Sequence, residues 1–198
     1  MQIFFVCIIG LSLGVVVWQL VVWSIEIWQK NRKYKAAVLC SRKCGKPLLV
    51  AGGPWSNTGI RRWLNLPAHG GGDVCLDIAR RAFQGHPRGL MADVTQIPFN
   101  DKAFGAVFAS HLMEHLPSIS SANRALDELN RVSEAVFIVC PSRQSVGAWL
   151  HRGHHLWVWQ QGNIVYIKQR NGSRHEKTAK YVIIDAFSGV VTGPGRKI

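Results

Sequence analysis

Four short stretches of the chain carry residue types that bind a small polar ligand when they stand at the ends of strands. Ala51-Gly52-Gly53, followed by Pro54, closes an apolar run that starts at Pro47, and glycines at such a place let the backbone approach a ligand closely. Asp77-Ile78 ends the run that starts at Asp73. A carboxylate there can accept two hydrogen bonds from a vicinal diol such as that of a ribose. Asp93-Val94 follows the short run Gly89-Leu90-Met91, and Ser110-His111 closes the run Phe104–Ser110. In an open α/β sheet, ligands bind beyond the carboxyl ends of the strands, where these four stretches would converge. A glycine pair alone says little; the ordered set says more.

Other reactive residue types invite chemistry that their surroundings do not support. Glu114-His115 has the composition of a general acid/base pair, which alone does not establish a catalytic role. His151, His154 and His155 suggest a metal cluster, but no carboxylate or cysteine stands beside them at ligand spacing. An exposed or substrate-facing loop is the expectation, and no metal is assigned. The five cysteines are an odd number without a dense framework, which speaks against a disulfide-stapled secreted fold. Cys75 and Cys140 sit in apolar runs as small core residues, and Cys40 and Cys44 lack a second half-site for zinc.

The elements that must position these residues alternate in type. Apolar runs at Pro47–Ala51, Asp73–Ile78, Gly89–Met91, Phe104–Ser110 and Ala135–Cys140 read as strands. Helical stretches are expected from Ser56, with Ile60, Trp63 and Leu64 on one face, at Ala79–Phe83, and at Ser121–Val132, with Leu126, Leu129 and Val132 on one face. That rhythm predicts a doubly wound, Rossmann-like, mainly parallel α/β sheet. From Leu156 the pattern changes to two strand-like runs around Gly162-Asn163, a β-hairpin expected to end the sheet antiparallel, with Trp157 and Trp159 in core or interface. A last apolar run, Tyr181–Ile184, has no assigned place.

With 198 residues the chain has room for one ordinary domain and an appendage. The appendage is legible: Ile3–Trp23 carries no formal charge and approaches the roughly 20 residues that cross a bilayer as a helix. Bulky Trp18, Trp23 and Trp28 suit the headgroup boundary and do not suit a signal-peptide cleavage site. Residues 1–28 are thus expected as one transmembrane helix, 29–46 as a basic juxtamembrane linker, and 47–198 as the α/β domain. Of 24 Lys and Arg residues, seven fall between Lys30 and Lys46, so the net charge of +13 is concentrated where lipid headgroups would meet it. The positive-inside rule places residues 30–198 in the cytoplasm or an equivalent compartment, with the N-terminus outside. No nucleic-acid recognition motif, and no stripe of interleaved aromatic and basic residues, is present.

One stretch carries a more specific pattern. Ala92–Leu116, ADVTQIPFNDKAFGAVFASHLMEHL, resembles the class I methyltransferases of the broad type-11 group, which have "lPf-d-sFD-v-s-hvleHl" after a short acidic motif. LDELNRV, from Leu126 to Val132, resembles the family's next helix, and PLLVAGGP and VCLDI stand at fitting distances upstream. The resemblance covers residues 47–145. It implies S-adenosylmethionine as cofactor, with Gly53, beside Ala51 and Gly52, under the methionine moiety and Asp77, with Ile78, at the ribose. Asp93 and Val94 would flank the adenine, and Ser110 and His111 would line the pocket near the methyl group. Departures are as plain as matches: Leu49 takes the place of the family's acidic residue, Ala51 that of the first glycine and Trp55 that of the third. Gly105 replaces the usual Asp, and the "kpGG" turn is missing between Val132 and Ala135. Two readings therefore stand: a membrane-anchored methyltransferase of unknown acceptor, or a catalytically silent, methyltransferase-like subunit of a membrane protein complex.

Overall fold

The computed structural model describes residues 2–53, 70–162, 164–170 and 179–182. The helix expected from Ser56 and the end of the run Tyr181–Ile184 lie outside the described residues.

Five short strands, β1 (Leu48–Ala51), β2 (Val74–Asp77), β3 (Gly89–Met91), β4 (Ala106–Ser110) and β5 (Val136–Val139), form one parallel sheet in the order β3-β2-β1-β4-β5. Chain order runs outward from β1 to one edge, then returns past it to the other, which makes a switch point between β1 and β4. The strands read as continuous apolar runs because both faces are covered, and their alternation sorts the residues into two cores. Leu49, Ala51, Leu76, Val107, Ala109, Val136 and Ile138 face one way. Leu48, Val50, Cys75, Ala106, Phe108, Phe137 and Val139 face the other.

The first face is covered by α2 (Ile119–Val132), which buries Ala122, Ala125, Leu126, Leu129 and Val132 at helical spacing. Its start is fixed by Ser118, whose hydroxyl accepts the Ser121 N–H at 3.1 Å. A second sheet, β6 (Leu156–Gln161), β7 (Ile164–Gln169) and β8 (Ala179–Val182), packs Leu156, Val158, Val165 and Ile167 into the same core. The hairpin forms as expected, but it does not end the parallel sheet. It opens a separate antiparallel sheet, to which part of the last apolar run adds as β8.

The opposite face holds a correction. Residues 29–46 were expected as a linker, yet α1 runs unbroken from Gln2 to Cys44, and its second half is the wall of the sheet. Ala36 and Ala37 are buried against Phe108, Phe137 and Val139, with Tyr34, Val38 and Cys40 packed beside them. The Tyr34 ring meets Phe108 edge-on at 5.2 Å. The residues that face the domain form one stripe: Gln19, Val22, Glu26, Lys30, Lys33 and Ala37 recur at intervals of three and four. Along it the Gln19 amide donates to Gln144 O and accepts from Val146 N–H, Glu26 accepts from Ser142 N–H, and Lys33 donates to Ile138 O and Gln160 Oε1. The basic residues of this segment look like a linker in sequence, yet Lys30 and Lys33 stand on the inner stripe, beside buried Ala36 and Ala37, while Arg42 and Lys43 lie exposed.

Gly105 shows how close this packing is. A Cβ there would stand 2.7 Å from Ser41 Cα and 3.1 Å from Cys44 Cβ, so the aspartate usual in the resembling family has no room beside α1. The remaining part of α1, from Gln2 to Trp18, reaches beyond the domain with Phe4, Ile9, Leu11, Leu13 and Val15 exposed, and α1 is long and apolar enough to cross a membrane.

Candidate functional site

The parallel sheet brings the four expected stretches to one edge. Ala51 pairs with Leu76 on one side and with Ala109 on the other, Asp77 pairs with Met91, and Ser110 pairs with Val139. Gly52 has φ +86°, a conformation that suits glycine, and a Cβ on it would lie 2.9 Å from Ser110 O. Asp77 is held from both oxygens, Oδ2 accepting from Gly53 N–H and Oδ1 from Ala79 N–H, each at 2.7 Å. A carboxylate has about four acceptor positions, so two remain for hydroxyls of a ligand. Asp93 Oδ1 accepts from the Thr95 N–H and hydroxyl, which fixes the turn that contains buried Val94.

Two features of this edge are those of a binding site. Ile78 is 73% exposed and Met91 64%, two apolar side chains at neighbouring strand ends against which a flat base could lie. The Ser110 hydroxyl and both Glu114 carboxylate oxygens are buried without a hydrogen-bond partner, a costly arrangement that a ligand, water or ion would relieve. Gly53 is different. A Cβ there would lie 2.3 Å from Ala82 O, so the space freed by this glycine is filled by the 3-10 turn Arg80–Ala82 of the chain itself.

His111 has φ +52°, a strained conformation for a residue with a side chain. Its Nδ1 lies 3.3 Å from Oε1 of Glu114, which is only 1% exposed. The ring lines a cavity of about 540 Å³ walled by Glu26, Gln29 and Lys33 of α1, the segment Ile138–Gln144, and the hairpin residues Val158–Gln161 and Val165. Trp159 on that wall stacks on Tyr166 at 5.3 Å and carries the Arg143 guanidinium over its ring at 3.9 Å. Burial, reinforced by Glu114, pushes the thiol of Cys140 on the same wall upward, while burial and then Asp77 push that of Cys75 up to about 12.

Sequence reasoning missed three parts of this site. The wall contributed by α1 was hidden because its residues look like a basic linker. The network behind IPFND was missed as well: Arg131 donates from Nε and Nη2 to Glu128, from Nη1 to Asp101 and Phe99 O, and from Nη2 to Ile97 O. Glu128 in turn accepts the Ile97 N–H at 2.7 Å. Hydrogen bonds from Arg131 therefore hold the Glu128 carboxyl below its ordinary range. The third part is the partner of the histidine loop, His115. His151 and His154 stack at 4.3 Å, and His115, from the 3-10 turn Met113–His115, joins them edge-on at 5.3 and 4.8 Å, whereas His155 does not. Burial, with His115 and His151 nearby, lowers the His154 pKa against the opposing pull of Glu114.

Comparison with known proteins adds a sequence match and distant likenesses. The family described as "Methyltransferase domain" matches residues 72–135, about a third of the chain. No curated protein matches. Solved structures with similarity include an S-adenosylmethionine-dependent methyltransferase from Clostridium acetobutylicum ATCC 824, at 12% identity and TM-score 0.40 over 77% of this chain and 66% of that one. Another is the N-methyltransferase NodS from Bradyrhizobium japonicum WM9 in complex with S-adenosyl-L-homocysteine, at 10% identity and TM-score 0.37 over 71% of this chain and 80% of that one. The chain spans just under two thirds of the Clostridium protein. The strand order, rather than such distant likenesses, carries the fold. In residues 72–135 the protein is similar to a methyltransferase domain.

Proposed function

We propose that the protein is a membrane-anchored methyltransferase that uses S-adenosylmethionine. The observation that carries this reading is the convergence of Gly52, Asp77-Ile78, Asp93-Val94 and Ser110-His111 at one sheet edge, most of them within the stretch that matches a methyltransferase domain. When bound, S-adenosylmethionine supplies a methyl group on a positively charged sulfur. The chain's own residues supply position. Asp77, clamped by Gly53 and Ala79 N–H groups, presents its free lone pairs to the ribose hydroxyls, Ile78 and Met91 offer an apolar surface to the adenine, and the unpartnered Ser110 hydroxyl marks the end nearer the acceptor. His111 walls the acceptor side, where orienting a nucleophile in line with the methyl group is the main catalytic demand.

The acceptor cavity is walled in part by α1, so it opens beside the helix that would enter the bilayer. α1 bonds the domain at Gln19, and the part of the helix before that residue is about 26 Å long, short of a hydrocarbon core of about 30 Å. The domain would therefore sit against the headgroups, with α3 (Val146–Leu150) presenting exposed Val146, Trp149 and Leu150. An amphiphilic acceptor fits this place. The test is transfer of a labelled methyl group from S-adenosylmethionine to a membrane fraction by the protein in lipid nanodiscs. Label in a lipid or membrane protein, lost with Asp77→Ala, supports the reading.

A second reading, a catalytically silent subunit of a membrane complex, is favoured by one observation: Ala82 fills the space at Gly53. A folded protein that binds no S-adenosylmethionine would choose it.

A further inference from the structure

The residues His115, His151 and His154 come from separate places in the chain and offer ring nitrogens that lie within 4.8 Å of one another. We infer that they form a binding site for a divalent transition metal of the zinc class, with three imidazole ligands and an open fourth position for water or an oxygen or sulfur of a small ligand.

The chemistry of the rings supports this arrangement. His115 Nδ1–H donates to Gly153 O at 3.0 Å, and His154 Nδ1–H donates to Ala148 O at 3.2 Å. In a neutral imidazole that donates from Nδ1, the lone pair stands on Nε2. A backbone carbonyl holding the other ring nitrogen is also the common outer support of a metal-bound histidine. His151 uses Nδ1 to accept the Gly153 N–H at 3.1 Å, so as a ligand it would trade that bond for the metal. Tetrahedral ligation at Zn–N distances of about 2.0–2.1 Å needs nitrogens roughly 3.4 Å apart, so the exposed rings of His151 and His115 would have to close in, His151 giving up its bond to Gly153 N–H.

The backbone that carries two of the three ligands is fixed in advance. The Arg170 guanidinium donates to the carbonyls of Ala148, Trp149 and His151 and reaches His154 O at 3.5 Å, which ties the whole turn to the end of β7. His155 N–H donates to Glu114 O at 2.8 Å, which ties the same turn to the segment of His115. Among the described residues, no carboxylate is hydrogen-bonded to any of the three imidazoles. The buried Glu114, which has His111 Nδ1 at 3.3 Å from Oε1, also acts electrostatically on His154. A cation held by the three rings would be stabilised by that negative charge.

The test is titration of the full-length, chelator-stripped protein in detergent with zinc, read by calorimetry, and with cobalt, read by visible absorption. One metal per chain is expected. His151→Ala and His154→Ala should each weaken binding more than tenfold with the circular dichroism spectrum unchanged, and the cobalt spectrum should lack a thiolate charge-transfer band. Cys44→Ser, a change at an exposed thiol, should leave the affinity unaltered. Binding that survives both histidine changes, that disappears with Cys44→Ser, or that is not stoichiometric in a folded protein overturns the inference. The readout is metal binding itself, so it stands or falls independently of methyl transfer.

Discussion

His111 is the residue at which structure and chemistry press hardest on each other. An L-residue in the left-handed region costs about 1–2 kcal/mol, and β-branched residues tolerate it least. Replacing His111 with Val should lower stability by roughly 1–2 kcal/mol in denaturant melts. His111→Gly, which fits the same backbone, should hold its melting temperature yet lose methyl transfer if the ring forms the acceptor wall. Equal loss of stability in both variants would show that the side chain, and not the backbone, is what matters there. At this scale the sequence was informative about placement and poor about partners. Asp77, Asp93 and Ser110-His111 lie at strand ends as their local patterns said. That Gly53 would be filled by Ala82, or that His115 would meet His151 and His154, depends on contacts between distant residues that no local pattern records.

Among elements, the segment Ile97–Asp101 and α2 are joined by Arg131, whose planar guanidinium satisfies two carboxylates and two carbonyls at once. Arg131→Lys keeps the charge but not the fork, and should cost about 1–2 kcal/mol in a urea titration. The pH dependence follows from Glu128. Its folded pKa is depressed, chiefly by the Arg131 hydrogen bonds, so its contribution is present above the ordinary glutamate pKa of about 4.3 and is lost as pH falls through the folded value. The stability lost on acidification should therefore be smaller in Glu128→Gln than in the unchanged protein. The histidine of the loop acts in the same direction at higher pH: His154, lowered by burial, favours the metal-free fold above about 6.5 and disfavours it as pH falls below. Strands were legible from continuous apolar runs because each is covered on both faces. Which helix covers which face was not, since α1 advertises its charges and conceals a stripe spaced by three and four residues.

At the level of the whole molecule, the long apolar helix α1 and the domain are one object. Gly105 admits the helix, so Gly105→Asp, which restores the residue usual in the resembling family, should separate α1 from β4 and cost about 2–3 kcal/mol. A chain beginning at Lys46 should aggregate or lose near-ultraviolet dichroism, because it strips Tyr34, Ala36, Ala37 and Val38 from Phe108 and Phe137; a chain beginning at Gln19 should fold. A soluble, ordered fragment from Lys46 would show that α1 is only an anchor. The measurement that tests the central claim most directly is calorimetric titration of the full-length protein in nanodiscs with S-adenosylmethionine and S-adenosyl-L-homocysteine. Single-site binding in the micromolar range, weakened roughly tenfold or more by Asp77→Ala, is the predicted result, since hydrogen bonds to a charged group contribute about 1.5–3 kcal/mol. No binding by a folded protein, or binding indifferent to Asp77, would contradict it.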